Sequence, residues 1–283
     1  MTDPSPFTAR AVEIRPGRGR PVLLSVPHSG CDYDLALIAR ARLGRASLER
    51  LEDPLVDQLV QGALDRGFGA VIARAPRALI DLNRAENDLD PAAIAGRSGE
   101  APTPRARAGL SLLPSRLAGL GELWRAPLAE AELAARIAGV HRPYHAALAA
   151  ALARLAREWG EVVLIDCHSM PPRRRGEANV VIGDCHGTSA APWVVAAATR
   201  IAARLGFAVA HNVPFAGGHI VARHGAPHLG IHAIQIEVDR AAYCQRDARA
   251  PGPGFDRVAR LFEALSVEIG SIIEQHGIGA AAE

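Results

Sequence analysis

Three short apolar runs end in, or contain, residues that can do chemistry. His28 follows PVLLSVP, His168 lies in Asp166-Cys167-His168-Ser169 after Val162 to Ile165, and Glu237 sits inside IHAIQIEV. Two imidazole nitrogens and a carboxylate oxygen, with a fourth position left for water, form a usual donor set of a catalytic zinc ion. His28 and His168 supply two such donors, and an acid from Glu52, Asp53 or Asp57 between them supplies a third. Glu237 is of another kind, because a carboxylate inside an apolar run is costly to bury without a partner. Asp81-Leu82-Asn83-Arg84 closes another run, and its guanidinium fork beside an amide suits a carboxylate ligand.

Such residues act together only if secondary structure delivers them to one edge. Short apolar runs alternate with helical patterns, the βαβ signature of an α/β domain with a buried sheet. Strands are expected at 21–27, 69–73, 78–82, 162–165, 180–183, 208–211 and 232–238. Helices are expected at 48–64, with Ser47 as N-cap and Pro54 in the first turn or starting it, at 127–159 with an interruption near His141-Arg142-Pro143-Tyr144, and at 193–205 and 255–275. In open α/β sheets ligands bind beyond the carboxyl ends of the strands, where these polar residues fall. Residues 85–122, rich in Pro, Gly and Arg, break the pattern as an irregular active-site insert within a single catalytic domain spanning 1–283. Neighbours on a strand face opposite ways, so Cys167 belongs to the core and not to a Cys-His nucleophile pair with His168. GDCHGTSA at 183–190 is read as a turn beside the pocket.

Composition narrows the partners. With 49% hydrophobic residues in 283, the chain can bury a large core. A net charge of +2 leaves no basic excess for nucleic acid or an anionic membrane, which favours a small-molecule ligand. All the basic residues are Arg, which excludes a lysine nucleophile or Schiff base. Four widely spaced cysteines without a CxxC pair fit a reducing cytoplasm. MTDPSPFTAR lacks the basic and apolar order of a signal peptide, and no apolar run reaches the ~20 residues of a membrane span. The expected form is a cytoplasmic monomer or small homo-oligomer.

VPHSG at 26–30, DLNR at 81–84, HRPYH at 141–145, DCHSM at 166–170, NVPFAGGHI at 212–220 and HAIQIEVDRAAY at 232–243 together resemble the N-formylglutamate amidohydrolases, over roughly residues 20 to 275. The family is similar to zinc carboxypeptidases and zinc-dependent peptidoglycan amidases. The resemblance implies a three-layer α/β/α fold with a mixed, mostly parallel sheet. It also implies hydrolysis of N-formyl-L-glutamate to formate and L-glutamate, a step of histidine degradation, with one divalent metal ion, expected to be Zn2+. Carried over, His28, Asp53 and His168 are the metal ligands, with Asp57 as the alternative acid. Glu237 is the general base, and Arg142 or His145 assists at the oxyanion. Asn83, Arg84, Arg223 and His219 face the dicarboxylate substrate. Two rival readings stay open: a related amidase for another N-acyl amino acid, and a metal-binding protein without catalysis.

Overall fold

Residues 11–98, 102–246 and 249–280 are described by the computed structural model, so the N-terminal segment read above as lacking a signal peptide lies outside them. In chain order the strands are β1 (Val12–Arg15), β2 (Val22–Val26), β3 (Gly69–Ala73), β4 (Arg116–Leu117), β5 (Gly121–Glu122), β6 (Val162–Met170), β7 (Val180–Gly183), β8 (Val209–His211) and β9 (Ile231–Asp239). Seven of them form one sheet in the order β1-β3-β2-β6-β9-β7-β8, while β4 and β5 pair as a separate antiparallel ribbon. β2 runs parallel to β3 and β6, β6 to β9, and β7 to β8; β7 is antiparallel to β9. The sheet is therefore mixed and mostly parallel.

By chain contacts there are two compact units. The first comprises the stretch ending at Glu13, Pro27–Glu52 and Ala73–Ala146; the second comprises Ile14–Val26, Asp53–Ile72 and the chain from Ala147 onward. The second unit carries nearly all of the sheet. One face of β2, β6 and β9 (Val22, Leu24, Val26; Val163, Ile165, Cys167; Ile234, Ile236, Val238) packs into a dry core with the helices Val56–Leu59, Gln61–Asp65, Pro192–Arg204 and Phe255–Ala280. Period-2 alternation turns Ser25, Asp166, His168, Gln235 and Glu237 to the opposite face. There the helix His219–His224 packs on β6 and β9.

β2 is the point where the strand order reverses, since β3 lies on one side of it and β6 on the other. The crevice beyond the carboxyl ends of such neighbouring strands is where open α/β sheets bind ligands. Ser25 is in register with Asp166, so His28 follows three residues beyond that level and His168 two.

Four expectations need correction. Residues 78–82 form a turn and not a strand: Leu79 N–H donates to Pro76 O and Asp81 N–H to Leu112 O, so the buried Ile80 and Leu82 are held by loop hydrogen bonds. The single helix at 48–64 is broken into Arg45–Leu48, Glu49–Leu51, Val56–Leu59 and Gln61–Asp65. Pro54 and the left-handed Leu55, φ 63°, interrupt it, and the Tyr243 hydroxyl donates to Pro54 O at 2.8 Å to hold the break. The helical region after 127 is continuous from Glu130 to Trp159 through a π-helical stretch at Ile137–His141, where an interruption was expected. Such bulges concentrate at functional sites. Finally β1 was missed, and β6 runs on through Met170, because DCHSM is too polar to read as strand.

Candidate metal and catalytic site

In the second unit, the break at Pro54 frees Asp53 from helical geometry. His168 Nδ1 lies 3.1 Å from Asp53 Oδ2, and His168 Nε2 lies 2.8 Å from Asp166 Oδ2. Asp53 Oδ1 accepts from Ser169 Oγ and Arg240 Nη2, both at 3.3 Å. Those donors fix the carboxylate so that Oδ2 is the oxygen turned to His168. Asp166 Oδ1 accepts from Ser25 Oγ at 2.7 Å, which pins the second carboxylate in the same way. Of these six side chains all but the half-buried Arg240 are buried.

The imidazole of His168 thus stands between two acceptor groups. Burial works against its charge, but Asp166 and Asp53 outweigh burial and hold its pKa well above the ordinary histidine value. A proton on Nδ1 occupies the place between an imidazole nitrogen and a carboxylate oxygen where a cation would fit. Histidines that bind metal commonly donate their other ring N–H to a carboxylate, and Asp166 stands at that second nitrogen of His168. Asp53 and His168 are residues of the type that could hold a metal ion.

Glu237 is in register with His168, and its Oε1 accepts from Gln235 Nε2 at 2.9 Å. On the helix His219–His224, His219 and the exposed Arg223 are four residues apart and share a side. His224 ends that helix. Burial, Arg223 and His219 lower its pKa to about 4, against the opposing pull of Asp166. The unfolded chain takes up a proton at the ordinary value of 6.5, so stability is lost as pH falls from 6.5 to about 4, by roughly 3 kcal/mol at most. Denaturant midpoints of wild type and His224→Gln should therefore converge as the pH is lowered through this window; parallel curves would contradict the assignment.

In the first unit, Gly30 lets the chain after His28 run against residues 74–75, because a Cβ there would lie 2.2 Å from Ala75 O. His28 Nε2 is 2.8 Å from Asp81 Oδ1, which also accepts from Asn83 N–H at 2.9 Å. Arg77 donates to Asp81 Oδ2 through Nε at 2.9 Å and Nη2 at 2.8 Å. Burying a lone carboxylate costs several kcal/mol. Here burial would raise the pKa of Asp81, and Arg77 and His28 together hold it well below the carboxylate range. An ionised Asp81 can only accept, so it holds a proton on His28 Nε2.

The remaining expected residues are distributed as follows. Arg84 is buried and donates to Leu110 O and Asn83 O, so it braces the DLNR turn. His141 Nε2 is 2.8 Å from Arg84 O and His145 Nε2 is 3.0 Å from Leu82 O, which ties HRPYH to DLNR. Arg142 is exposed and bidentate to Glu86. Asp57 lies in the first turn of Val56–Leu59, half-buried, and Glu52 accepts from the Tyr33 hydroxyl at 2.6 Å. Cys167 is in the core, and its thiol pKa is pushed up by burial and by Asp166. In GDCHGTSA, Cys185 and His186 take left-handed backbone, and Asp184 accepts from Gly187 N–H and Asn212 Nδ2. Among the described residues no helix is long and apolar enough to cross a membrane.

Sequence reasoning missed Asp81, Asp166, Ser169, Arg240 and Gln235. Asp166 was detectable, because a residue two before His168 on a strand must share its face. Arg240 carries no such signal, since its partner Asp53 is remote in the chain.

A family model described as N-formylglutamate amidohydrolase matches residues 20–244. The chain is 31% identical over 273 residues to an N-formylglutamate deformylase of Pseudomonas aeruginosa, covering 91% of this chain and 93% of the relative. It is 30% identical over 234 residues to the enzyme of that name from Pseudomonas putida, covering 80% and 82%. The crystal structure of an N-formylglutamate amidohydrolase from Ralstonia eutropha is similar at a TM-score of 0.86 and 29% identity, over 94% of this chain and 99% of that one. With a match over most of its length, this chain belongs to the N-formylglutamate amidohydrolase family.

Proposed function

We propose that the protein hydrolyses N-formyl-L-glutamate to formate and L-glutamate, with one divalent metal ion, zinc by donor type, held by His28 Nδ1, His168 Nδ1 and Asp53 Oδ2. The observation that carries this reading is His168, set between the Asp53 and Asp166 carboxylates with Glu237 beside it in register. What supports including His28 is its donor type and its Nε2 contact with Asp81, since metal-binding histidines commonly donate their other ring N–H to a carboxylate. Two imidazoles and one carboxylate are donors that zinc accepts, and each residue offers one ligand atom.

When bound, such an ion supplies Lewis acidity, polarising a carbonyl and lowering the pKa of a water towards about 7. The protein's residues do the rest. Glu237 takes a proton from the attacking water, whose oxygen bonds to the formyl carbon, and returns that proton to the leaving amine as the C–N bond breaks. A general base in this position contributes about 10²–10⁴-fold. Arg142 or His145 is assigned to the oxyanion, and Asn83, Arg84, Arg223 and His219 to the two carboxylates of the glutamyl group.

Asp166→Asn removes the charge that orients His168, and zinc affinity should fall about 10- to 100-fold, read by competition with a chromogenic chelator. An unchanged affinity would exclude Asp166 from orienting a ligand. The function itself is tested by assaying the purified protein on N-formyl-L-glutamate and on other N-acyl amino acids, with and without chelator. Chelator-sensitive release of formate is expected, with N-formylglutamate the best substrate; metal binding without turnover of any of them would favour a binding protein.

A further inference from the structure

Gln235 is buried on the polar face of β9, at 3% exposure, where an aliphatic residue would pack at no hydrogen-bonding cost. Its amide Nε2 donates to Glu237 Oε1 at 2.9 Å, from the position two residues earlier on the same face. On β6 its register partner is Asp166, and on β7 it is Gly183. A Cβ at Gly183 would come within 2.6 Å of the backbone of Ala216 and Gly217. That backbone therefore occupies the place beside Gln235 where a side chain at 183 would stand. Gln235 therefore lies, buried, between the Asp166 level of β6 and the Gly183 level of β7.

A glutamate carboxylate turns freely about its last torsion unless a donor holds it, since that torsion has only a broad, two-fold preference. We propose that Gln235 is a positioning residue for the hydrolysis: its amide holds Glu237 Oε1 and so sets the plane of the general-base carboxylate before substrate arrives. The inference rests on Glu237 acting as the base, as proposed above. It predicts a defect in turnover and not in substrate binding, because the group held is one that works in the transition state. Misplacing a catalytic group by about 1 Å can cost about 10²-fold.

The test uses the metal-loaded protein with N-formyl-L-glutamate. Gln235→Met keeps the volume and removes the donor; Gln235→Leu removes the donor with a smaller apolar side chain and serves if the Met variant does not fold. Either is expected to lower kcat about 10- to 100-fold, with KM within about threefold and with metal content and Tm close to wild type. The same substitution made in a Glu237→Gln background is expected to cause no further loss of the residual turnover. Unchanged kcat, a loss confined to KM, or an equal fold-loss in both backgrounds would overturn the role of Gln235 while leaving Glu237 as the base. Full activity in Glu237→Gln alone would instead overturn the base assignment and this inference with it.

Discussion

Glu237→Gln is expected to lose about 10²–10⁴-fold in kcat on N-formylglutamate and still bind metal, whereas His168→Ala loses both. The contrast follows from where the two side chains stand. Glu237 and His168 are register neighbours on β9 and β6, and the imidazole lies 3.1 Å from Asp53 Oδ2. A glutamine at 237 keeps the volume and can turn its carbonyl to the Gln235 amide, so the strand has no reason to shift. An alanine at 168 leaves Asp53 Oδ2 and Asp166 Oδ2 without their shared partner, two buried carboxylates for which each lost hydrogen bond costs on the order of 2 kcal/mol. Elemental analysis of the purified variants beside formate release separates the roles; equal metal loss in both would show that Glu237 is a ligand.

Replacing Asp53 by Asn should have the second largest effect, and the same change at Asp57 almost none. Asp53 accepts on Oδ1 from Ser169 and Arg240 and faces His168 with Oδ2. An amide in its place sets an NH2 against one of those donors and removes the charge that Arg240 balances. Zinc affinity should fall at least about 100-fold, taking turnover with it, since first-sphere losses exceed the 10- to 100-fold typical of outer-sphere ones. Asp57, half-buried in a helical turn, should hold affinity within about threefold. Chelator competition on the two purified variants decides it: a larger loss at Asp57 would reverse the choice of acid.

Much of this was legible from residue types. Period-2 alternation in VVLIDCH and HAIQIEV separated Cys167 from His168 and placed Glu237 on a strand, because a fully buried strand has one periodicity to obey. Its limit was the polar end of β6, where hydrogen bonding to β9 extends the strand through residues whose composition argues for a loop. The segment at 48–64 misled for a related reason. Its apolar spacing is helical, but Pro54, Leu55 and the long-range Tyr243 hydroxyl cut it into pieces, and the cut is what exposes Asp53 to His168. Tertiary hydrogen bonds from residues nearly two hundred positions away leave no trace in a local pattern. At 78–82 the apolar run reports burial correctly and conformation wrongly, since the partners are Leu112 and Pro76 and not a strand.

The most direct test of the proposed metal site is an anomalous-scattering map from crystals of the zinc-loaded protein. One peak is expected about 2.0–2.2 Å from His28 Nδ1, His168 Nδ1 and Asp53 Oδ2, with Asp81 and Asp166 still on the Nε2 atoms. A peak bonded to other residues, or to only one of these histidines, would contradict the account.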